Sequence, residues 1–481
     1  MPHHGNISFT PGATGLSLEP SPVTNEISKD KNVHVKPTAR KFDHRFSAEG
    51  LSLAPTPLKD TVKTLDFAKM IPLGNGRPAS EMLPWEELTM RVAKRDTGLM
   101  SCVKGESSFD LAVALDYGCS GGSTKLVDFL TEHVESIHHP PYSDWQTCLS
   151  IGSTSAIERA LRLFCNRGDW ILVEEYTYSG LITAGKTLGI NMLAIEMDDG
   201  GLNANDLDAK LSAWGPEKGK KPFVLYTVPS GQNPTGKTQS VQRKRLIYEV
   251  AEKHDLYIVE DDPYYFLQHG NFSKGTSNLT AKEYQTHLPA TYLSLDLSGR
   301  VLRLDSASKI LAPGLRLGWV TGCAQVIGKF IEQADMSTLA ASGPSQVMVH
   351  KLLCETWGHG GFMNWLFDLS LQYRKRRDTM SAACAKYLPS VCHWTLPAVG
   401  MFLWIKVDHT QLSSRSSPLA LEEKICEELE GKGLMVGRGS WFWVGSESMN
   451  ELCFRLTFAA APQERLEQAI RILAEQILLY T

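Results

Sequence analysis

Between residues 147 and 306, short apolar and β-branched runs alternate with longer segments whose apolar residues recur at helical spacing. TCLSIG (147–152), WILVEE (170–175), NMLAIEM (191–197), FVLYTV (223–228), LYIVED (256–261) and VLRLDS (301–306) read as strands. SAIERALRLFCNR and QRKRLIYEVAEKH (242–254), lying between them, read as helices. Parallel strands need a long crossover, usually a helix, so this alternation predicts an α/β fold with a mostly parallel, helix-covered sheet. Ligands of such sheets collect at the C-terminal ends of the strands. A motif at such a strand end is therefore a candidate for ligand binding.

From about residue 360 the pattern changes. A helix containing LSLQYRKRRDTMSAACAKYL precedes two extended pieces, GMFLWIKV (400–407) and ELCFRLTFA (451–459), and then a terminal helix. That order predicts a smaller α+β domain beside the large one. Residues 1–44 are rich in Pro, Ser, Gly, Asn and Lys without a sustained period. They are expected to form a mobile arm with a late ordered portion.

A net charge of −4 over 481 residues gives no basic face for nucleic acid and no attraction to anionic membrane. No apolar run approaches the roughly 18–20 residues of a membrane span. The N-terminus has no apolar signal core and no arginine before Arg40, which makes the cytosol the expected compartment. The ten cysteines form no C-x-x-C pair and no zinc-type spacing. They are expected to be reduced core thiols, with no metal bound.

Four motifs fall at predicted strand ends. Ser306-Ala-Ser308-Lys309 closes VLRLDS, with Arg316 seven residues beyond the lysine. A lysine amine becomes nucleophilic when burial or nearby positive charge lowers its pKa. Gly152-Ser153-Thr154 opens a helix, where free N–H groups and the helix dipole can cradle a phosphate. PSGQNPTG (229–236) makes a rigid loop that presents Asn233. LYIVEDDPYYFL puts Asp262 after a strand with Tyr265 three residues on, a pair able to serve a pyridine nitrogen and a ring oxygen. Gly118-Cys-Ser-Gly-Gly-Ser-Thr-Lys125 lacks the spacing of a P-loop and is set aside.

In this chain order, the motifs resemble the fold-type I aminotransferases that use pyridoxal 5′-phosphate (PLP). The likeness runs from about Phe46 to the C-terminus. It is nearest to the fungal aromatic-amino-acid and the kynurenine/α-aminoadipate aminotransferases, through FCNRGDWILVEE, PSGQNPTG, VEDDPYYFLQ, DSASKILAPGLRLGW and GSWF. The resemblance implies a PLP Schiff base on Lys309, which also shuttles the substrate proton, with Asp262 on the pyridinium nitrogen. It implies Asn233 and Tyr265 at the phenolic oxygen and the ring of Tyr178 stacked on the cofactor. Ser153, Thr154, Ser306, Ser308 and Arg316 would hold the phosphate. Tyr117 would reach the phosphate of a neighbouring subunit, hence a homodimer with shared sites. Arg455 would grip the substrate α-carboxylate, for which a planar guanidinium is suited, and Gly76 would approach the same group.

The implied division is an arm (1–44), a segment contributing to the small domain and dimer contacts (45–115), a large PLP domain (116–358) and a small domain (359–481). The expected reaction is ping-pong transamination of Phe, Tyr or Trp with a 2-oxo acid such as 2-oxoglutarate. One departure bears on substrate: Gly74-Asn-Gly76-Arg77-Pro stands where relatives carry a Gly-Gly-Gly-Leu-Pro-like stretch. Arg77 either faces solvent or biases the pocket toward a dicarboxylate such as glutamate or 2-aminoadipate. The GSWF loop (439–442) and residues near Tyr142 are candidates for a side-chain pocket. Kynurenine or 2-aminoadipate transamination, C–S lyase chemistry, and a PLP-binding regulatory domain are the alternatives. The last lacks any helix-turn-helix pattern in the arm.

Overall fold

A computed structural model describes residues 36–55, 73–74, 76–92, 98–270, 280–445 and 449–481. Its centre is a seven-stranded sheet of β1 (Trp145–Ser150), β2 (Trp170–Glu174), β3 (Asn191–Ile195), β4 (Val224–Thr227), β5 (Tyr257–Asp261), β6 (Val301–Ser306) and β7 (Gly318–Cys323). Across the sheet the order is β1-β7-β6-β5-β4-β2-β3. Every neighbouring pair is parallel except those of β7, which runs against both β6 and β1. Every residue of β4 to β7 is buried. Such two-sided burial is the reason these strands read as continuous apolar runs rather than alternating ones.

Registers fix where the strands finish. Ser306 and Ser150 both face Gly318, Asp261 faces Leu304, and Thr227 faces Glu260. The C-terminal ends of the parallel strands and the start of β7 therefore share one edge of the sheet. Among the covering helices are α1 (Thr124–His138), α2 (Ser153–Phe164), α3 (Ser179–Leu188), α4 (Val241–His254) and α5 (Ala324–Asp335). In α2 the buried residues Ala156, Ile157, Ala160, Leu161 and Phe164 recur every three to four positions and pack one face into the core.

A second, antiparallel sheet has the order β8 (Cys392–Trp394), β9 (Phe402–Val407), β11 (Leu452–Thr457), β10 (Gly437–Arg438). The helices α6 (Gly358–Tyr387) and α8 (Leu466–Leu478) pack together beside it, with α7 (Pro418–Gly431) against β11. The two sheets meet on both sides of the functional edge. Tyr176 bridges Trp443 on one side and Gln268 bridges Val399 on the other.

The end of the proposed arm is ordered where it is described. The Ala39 N–H donates to Asp144, His44 lies 3.0 Å from Asp255, and Phe42 is 1% exposed, edge-on to Tyr257. These contacts lie at the sheet end opposite the functional edge. Residues 1–35 of that predicted segment are outside the described residues. Tyr142 is also misplaced by the sequence reading: it is fully buried just before β1, near Asp144, Asp296 and Cys323. A core phenol at the far end of the sheet lines no pocket at the functional edge.

Candidate active site

Lys309 lies in the turn directly after β6 and is partly buried. Burial lowers its pKa, and the positive charges of Arg455 and Arg316 lower it further, against the opposing pull of Asp261. The lysine thus sits among the groups that make an amine a usable nucleophile near neutrality.

The carboxylate acting on Lys309 is Asp261, not Asp262. Asp261 ends β5, is 4% exposed, and accepts a 2.6 Å hydrogen bond from the Tyr226 hydroxyl on Oδ2. Its Oδ1 is buried without a partner. Burial is the main cause that pushes its pKa up to about 7, with the Tyr226 hydrogen bond opposing and the charge of Asp262 adding to the rise. Asp262 turns the other way. One of its oxygens accepts from Arg303 at 3.2 Å and from Ser230 at 3.1 Å. Its Oδ1 also lacks a hydrogen bond, yet the residue is already charge-paired with buried Arg303, which also meets Glu260 and Asp305.

The tyrosines follow the same correction. Tyr265 donates its hydroxyl to the Pro289 carbonyl at 2.8 Å, and its ring lies under the Arg303 guanidinium. Tyr264 is the one whose hydroxyl lies against Asn233 and feels Arg455 and Tyr178; burial first, then Asp261, raises its pKa. The structure thus brings Asp261 and Tyr264, one position earlier, to Lys309 and Asn233, and turns the predicted Asp262 and Tyr265 toward Arg303. A one-residue shift reverses the side of the sheet that a side chain serves.

Asn233 is buried, and its Oδ1 accepts from Arg455 Nη1 at 2.8 Å. The loop that carries it is braced from below. Gln232 donates to Glu174 at 3.1 Å and to the Tyr176 carbonyl at 2.6 Å, while accepting from the N–H and hydroxyl of Thr235. Glu174 is fully buried, which raises its pKa to about 7 against hydrogen bonds from Thr227 and Gln232. Gly231 has φ +56°, and a Cβ there would meet the Val399 carbonyl at 2.6 Å, so the loop packs directly against the lead into the second sheet.

Arg455 comes from β11. Its guanidinium lies between the rings of Phe402 and Phe442, 4.7 Å from each centroid. Among the described residues no carboxylate pairs with it, and the groups acting on its charge are Tyr264 and Tyr178. A partly buried cation stacked by two rings and hydrogen-bonded only to an amide is suited to a carboxylate ligand.

The start of α2 forms the other side. Gly152 caps it with φ +99° and no side-chain cap, leaving the first helical N–H groups without side-chain acceptors. Arg316 Nη2 lies 2.3 Å from where a Gly152 Cβ would sit, and it donates to the Ile151 carbonyl. Its Nη1 donates to the Pro313 carbonyl and, at 3.4 Å, to Ser308 Oγ. Ser306 Oγ accepts from the Ser308 N–H, and Thr154 Oγ1 is 3.4 Å from the Tyr178 hydroxyl. Ser153 Oγ is buried and makes no well-formed hydrogen bond, but its hydroxyl is close enough to Asp261 to lower the pKa of that acid.

Two predicted residues are not drawn in. Gly76 is exposed, with no described residue close to where its Cβ would sit, and Tyr117 is 60% exposed. Arg77 is partly buried and paired with Asp116 at 3.2 Å, so it neither points freely into water nor offers an unpaired charge. In the GSWF turn, Phe442 packs on Arg455 while Trp441 is half exposed. Tyr226, Tyr264, Asp261 and Phe402 belong to the site although no prediction named them. Asp261 and Tyr264 were within reach, because DDPYY contains Asp-x-x-Tyr in two registers.

The residues fit PLP. An orphaned, buried Asp261 oxygen suits a pyridinium N–H, a glycine-capped helix start under Arg316 suits a phosphate, and Lys309 between them suits the carbonyl carbon. The family model for aminotransferase class I and II matches residues 115–473. Aminotransferase swnA of Arthroderma benhamiae is 49% identical over 437 residues, 88% of each chain. The aromatic amino acid aminotransferase C569.07 of Schizosaccharomyces pombe is 35% identical, covering 92% of this chain and 98% of its own. The crystal structure of aminotransferase Aro8 from Candida albicans matches with a TM-score of 0.86 at 31% identity, over 92% and 99% of the two chains. The chain thus belongs to the class I and II aminotransferases, the PLP-dependent enzymes whose cofactor its Lys309 site fits.

Proposed function

We propose that the protein transaminates aromatic L-amino acids, with a 2-oxo acid such as 2-oxoglutarate as the amine acceptor. The observation carrying this reading is the Arg455 guanidinium between Phe402 and Phe442, hydrogen-bonded to Asn233 and without a carboxylate partner among the described residues. It receives the α-carboxylate and orients the Cα–H bond, while the rings around it favour an aromatic side chain. Lys309 holds the cofactor through its amine, then takes and returns the Cα proton. Bound PLP supplies the electron sink that lets that proton leave. Asp261 holds a proton at the ring nitrogen, Asn233 and Tyr264 hydrogen-bond the ring oxygen, and Tyr178 stacks on the ring. Ser153, Thr154, Ser306, Ser308 and Arg316 hold the phosphate.

A second carboxylate on the substrate is disfavoured, because Arg77 is neutralised by Asp116. Gly76 and Tyr117 act in a homodimer: the exposure of Tyr117 suits a ring that reaches the partner's phosphate. The same reading divides the chain near residues 44, 115 and 358, supported by a central sheet within 145–323 and a second sheet within 392–457. A reducing, cytosolic setting is supported by ten free cysteines. No helix among the described residues is long and apolar enough to cross a membrane.

A donor screen tests the substrate. Phe, Tyr, Trp, kynurenine, 2-aminoadipate and Glu are offered with several oxo acids, and pyruvate and ammonia are assayed alongside. Aromatic donors should give the highest kcat/KM. Turnover confined to 2-aminoadipate and Glu, or release of pyruvate and ammonia in place of amine transfer, would overturn the reading.

A further inference from the structure

Asp261 has two oxygens with different fates. Oδ2 accepts from Tyr226 at 2.6 Å, while Oδ1 is buried without a well-formed hydrogen bond, the Ser153 hydroxyl being the one other side-chain donor that lowers the pKa of this acid. Tyr226 lies on β4, opposite Val259 of β5, and is 1% exposed. A buried phenol costs stability unless its hydroxyl finds an acceptor, and a phenylalanine would fill this core position without that need. The only hydrogen-bond acceptor its hydroxyl meets among the described residues is Asp261. Groups that oppose a negative charge on Asp261 surround it: Asp262, Asp305 and Glu174 are all within electrostatic reach.

We propose that Tyr226 is a positioning residue, which fixes one oxygen of Asp261 so that the other, still ionised, faces the ring nitrogen of the cofactor. This rests on Asp261 as the partner of that nitrogen. The hydrogen bond does two things. It stops the carboxylate turning Oδ1 away from the site, and it stabilises the anion where burial and three neighbouring carboxylates disfavour it. Without it the carboxylate becomes the stronger base. The shared proton then breaks its bond to the ring nitrogen and forms one to Asp261, leaving a neutral pyridine and a neutral acid. The ring loses its power as an electron sink although every group that touches the cofactor is still present.

The full-length protein loaded with PLP carrying ¹⁵N at the ring nitrogen reads this directly. The wild type should give a pyridinium resonance, and Tyr226→Phe should move it toward neutral pyridine. An unchanged pyridinium resonance in Tyr226→Phe overturns the role of Tyr226. Asp261→Asn should give neutral pyridine. If it keeps the pyridinium resonance, or if the wild type gives neutral pyridine, the assignment of Asp261 itself fails. Should Tyr226→Phe not retain PLP, the titration of Asp261 in the apo-protein is followed by ¹³C-carboxyl NMR. A midpoint raised above the wild type supports the proposal, and an identical midpoint overturns it. A purely structural role for Tyr226 would move neither resonance.

Discussion

At the scale of single residues, the site depends on charges held where burial disfavours them. Asp261 has a folded pKa near 7, well above the roughly 4 of an unfolded aspartate. Between those values the folded apo-protein keeps a proton that the unfolded chain has lost. Its contribution is complete below about pH 4 and fades as pH rises through 7. The wild type should therefore lose stability relative to Asp261→Asn over that window, by up to roughly 4 kcal/mol. Urea midpoints of both apo-proteins at pH 5 and pH 8 check this; a constant difference contradicts it. Activity should separate the adjacent aspartates. Asp261→Asn should lower kcat/KM at least about 100-fold, a loss of roughly 3 kcal/mol. Asp262→Asn should act mainly on stability, because it strips a partner from buried Arg303.

The residues legible in the sequence were those with one candidate at a strand end. Lys309, Asn233 and Arg316 each had no rival within a few positions, and Arg455 stood alone in its strand. The carboxylate was not legible, because Asp261–Tyr264 and Asp262–Tyr265 carry the same spacing. Alternation gave no help in a strand buried on both faces. Tyr226 carries no motif at all, and its role exists only through a hydrogen bond between strands.

At the scale of elements, two short pieces frame the proposed cofactor and substrate sites. The α2 start works because Gly152 has no Cβ. Gly152→Ala would force both a strained φ of +99° and a 2.3 Å clash with Arg316. PLP affinity should fall at least about tenfold, as expected for a lost charge-assisted hydrogen bond. Fluorescence titration of the apo-protein measures it, and an unchanged affinity would contradict the phosphate assignment. The Asn233 loop works because Gln232 ties it to Glu174. Gln232→Ala leaves that buried carboxylate short of a donor and should cost about 1–3 kcal/mol in urea unfolding. Its kcat should fall as Asn233 shifts; wild-type stability and kcat together would show that the brace is dispensable.

Six of the seven central strands were legible, from their apolar runs and the helices between them. The missing one, β7, reads GWVTGC, and two glycines in six residues weaken a strand pattern. It also runs antiparallel directly behind the Lys309 turn, where no helical crossover announces it. The hairpin of Glu87–Arg91 and Leu99–Val103 was missed as well: its strands are short and largely exposed, so no continuous apolar run marks them.

For the whole molecule, the proposed active site is a seam between two sheets. Lys309, Asp261 and Asn233 come from the edge of the large sheet, and Arg455 comes from the small one. The Thr177 N–H to the Phe442 carbonyl and the Gly400 N–H to the Leu267 carbonyl tie the sheets on either side. Loading with PLP should therefore stabilise the chain as a unit: at 100 times Kd, linkage adds about 2.7 kcal/mol. Calorimetry should show one unfolding transition that moves to higher temperature with cofactor. Two transitions, of which only one responds, would mean that the sheets are not coupled. Sedimentation should give twice the 53.3 kDa of one chain, and a monomer that retains full activity would refute the shared-site dimer.

The proposed cofactor and substrate groups converge on the amine of Lys309. Borohydride reduction of the PLP-loaded protein, followed by peptide mass spectrometry, locates the cofactor's covalent attachment directly. The adduct should appear on the peptide that contains Lys309 and should vanish in Lys309→Ala. An adduct on a different lysine, or no adduct in protein that holds PLP, would contradict the account at its centre.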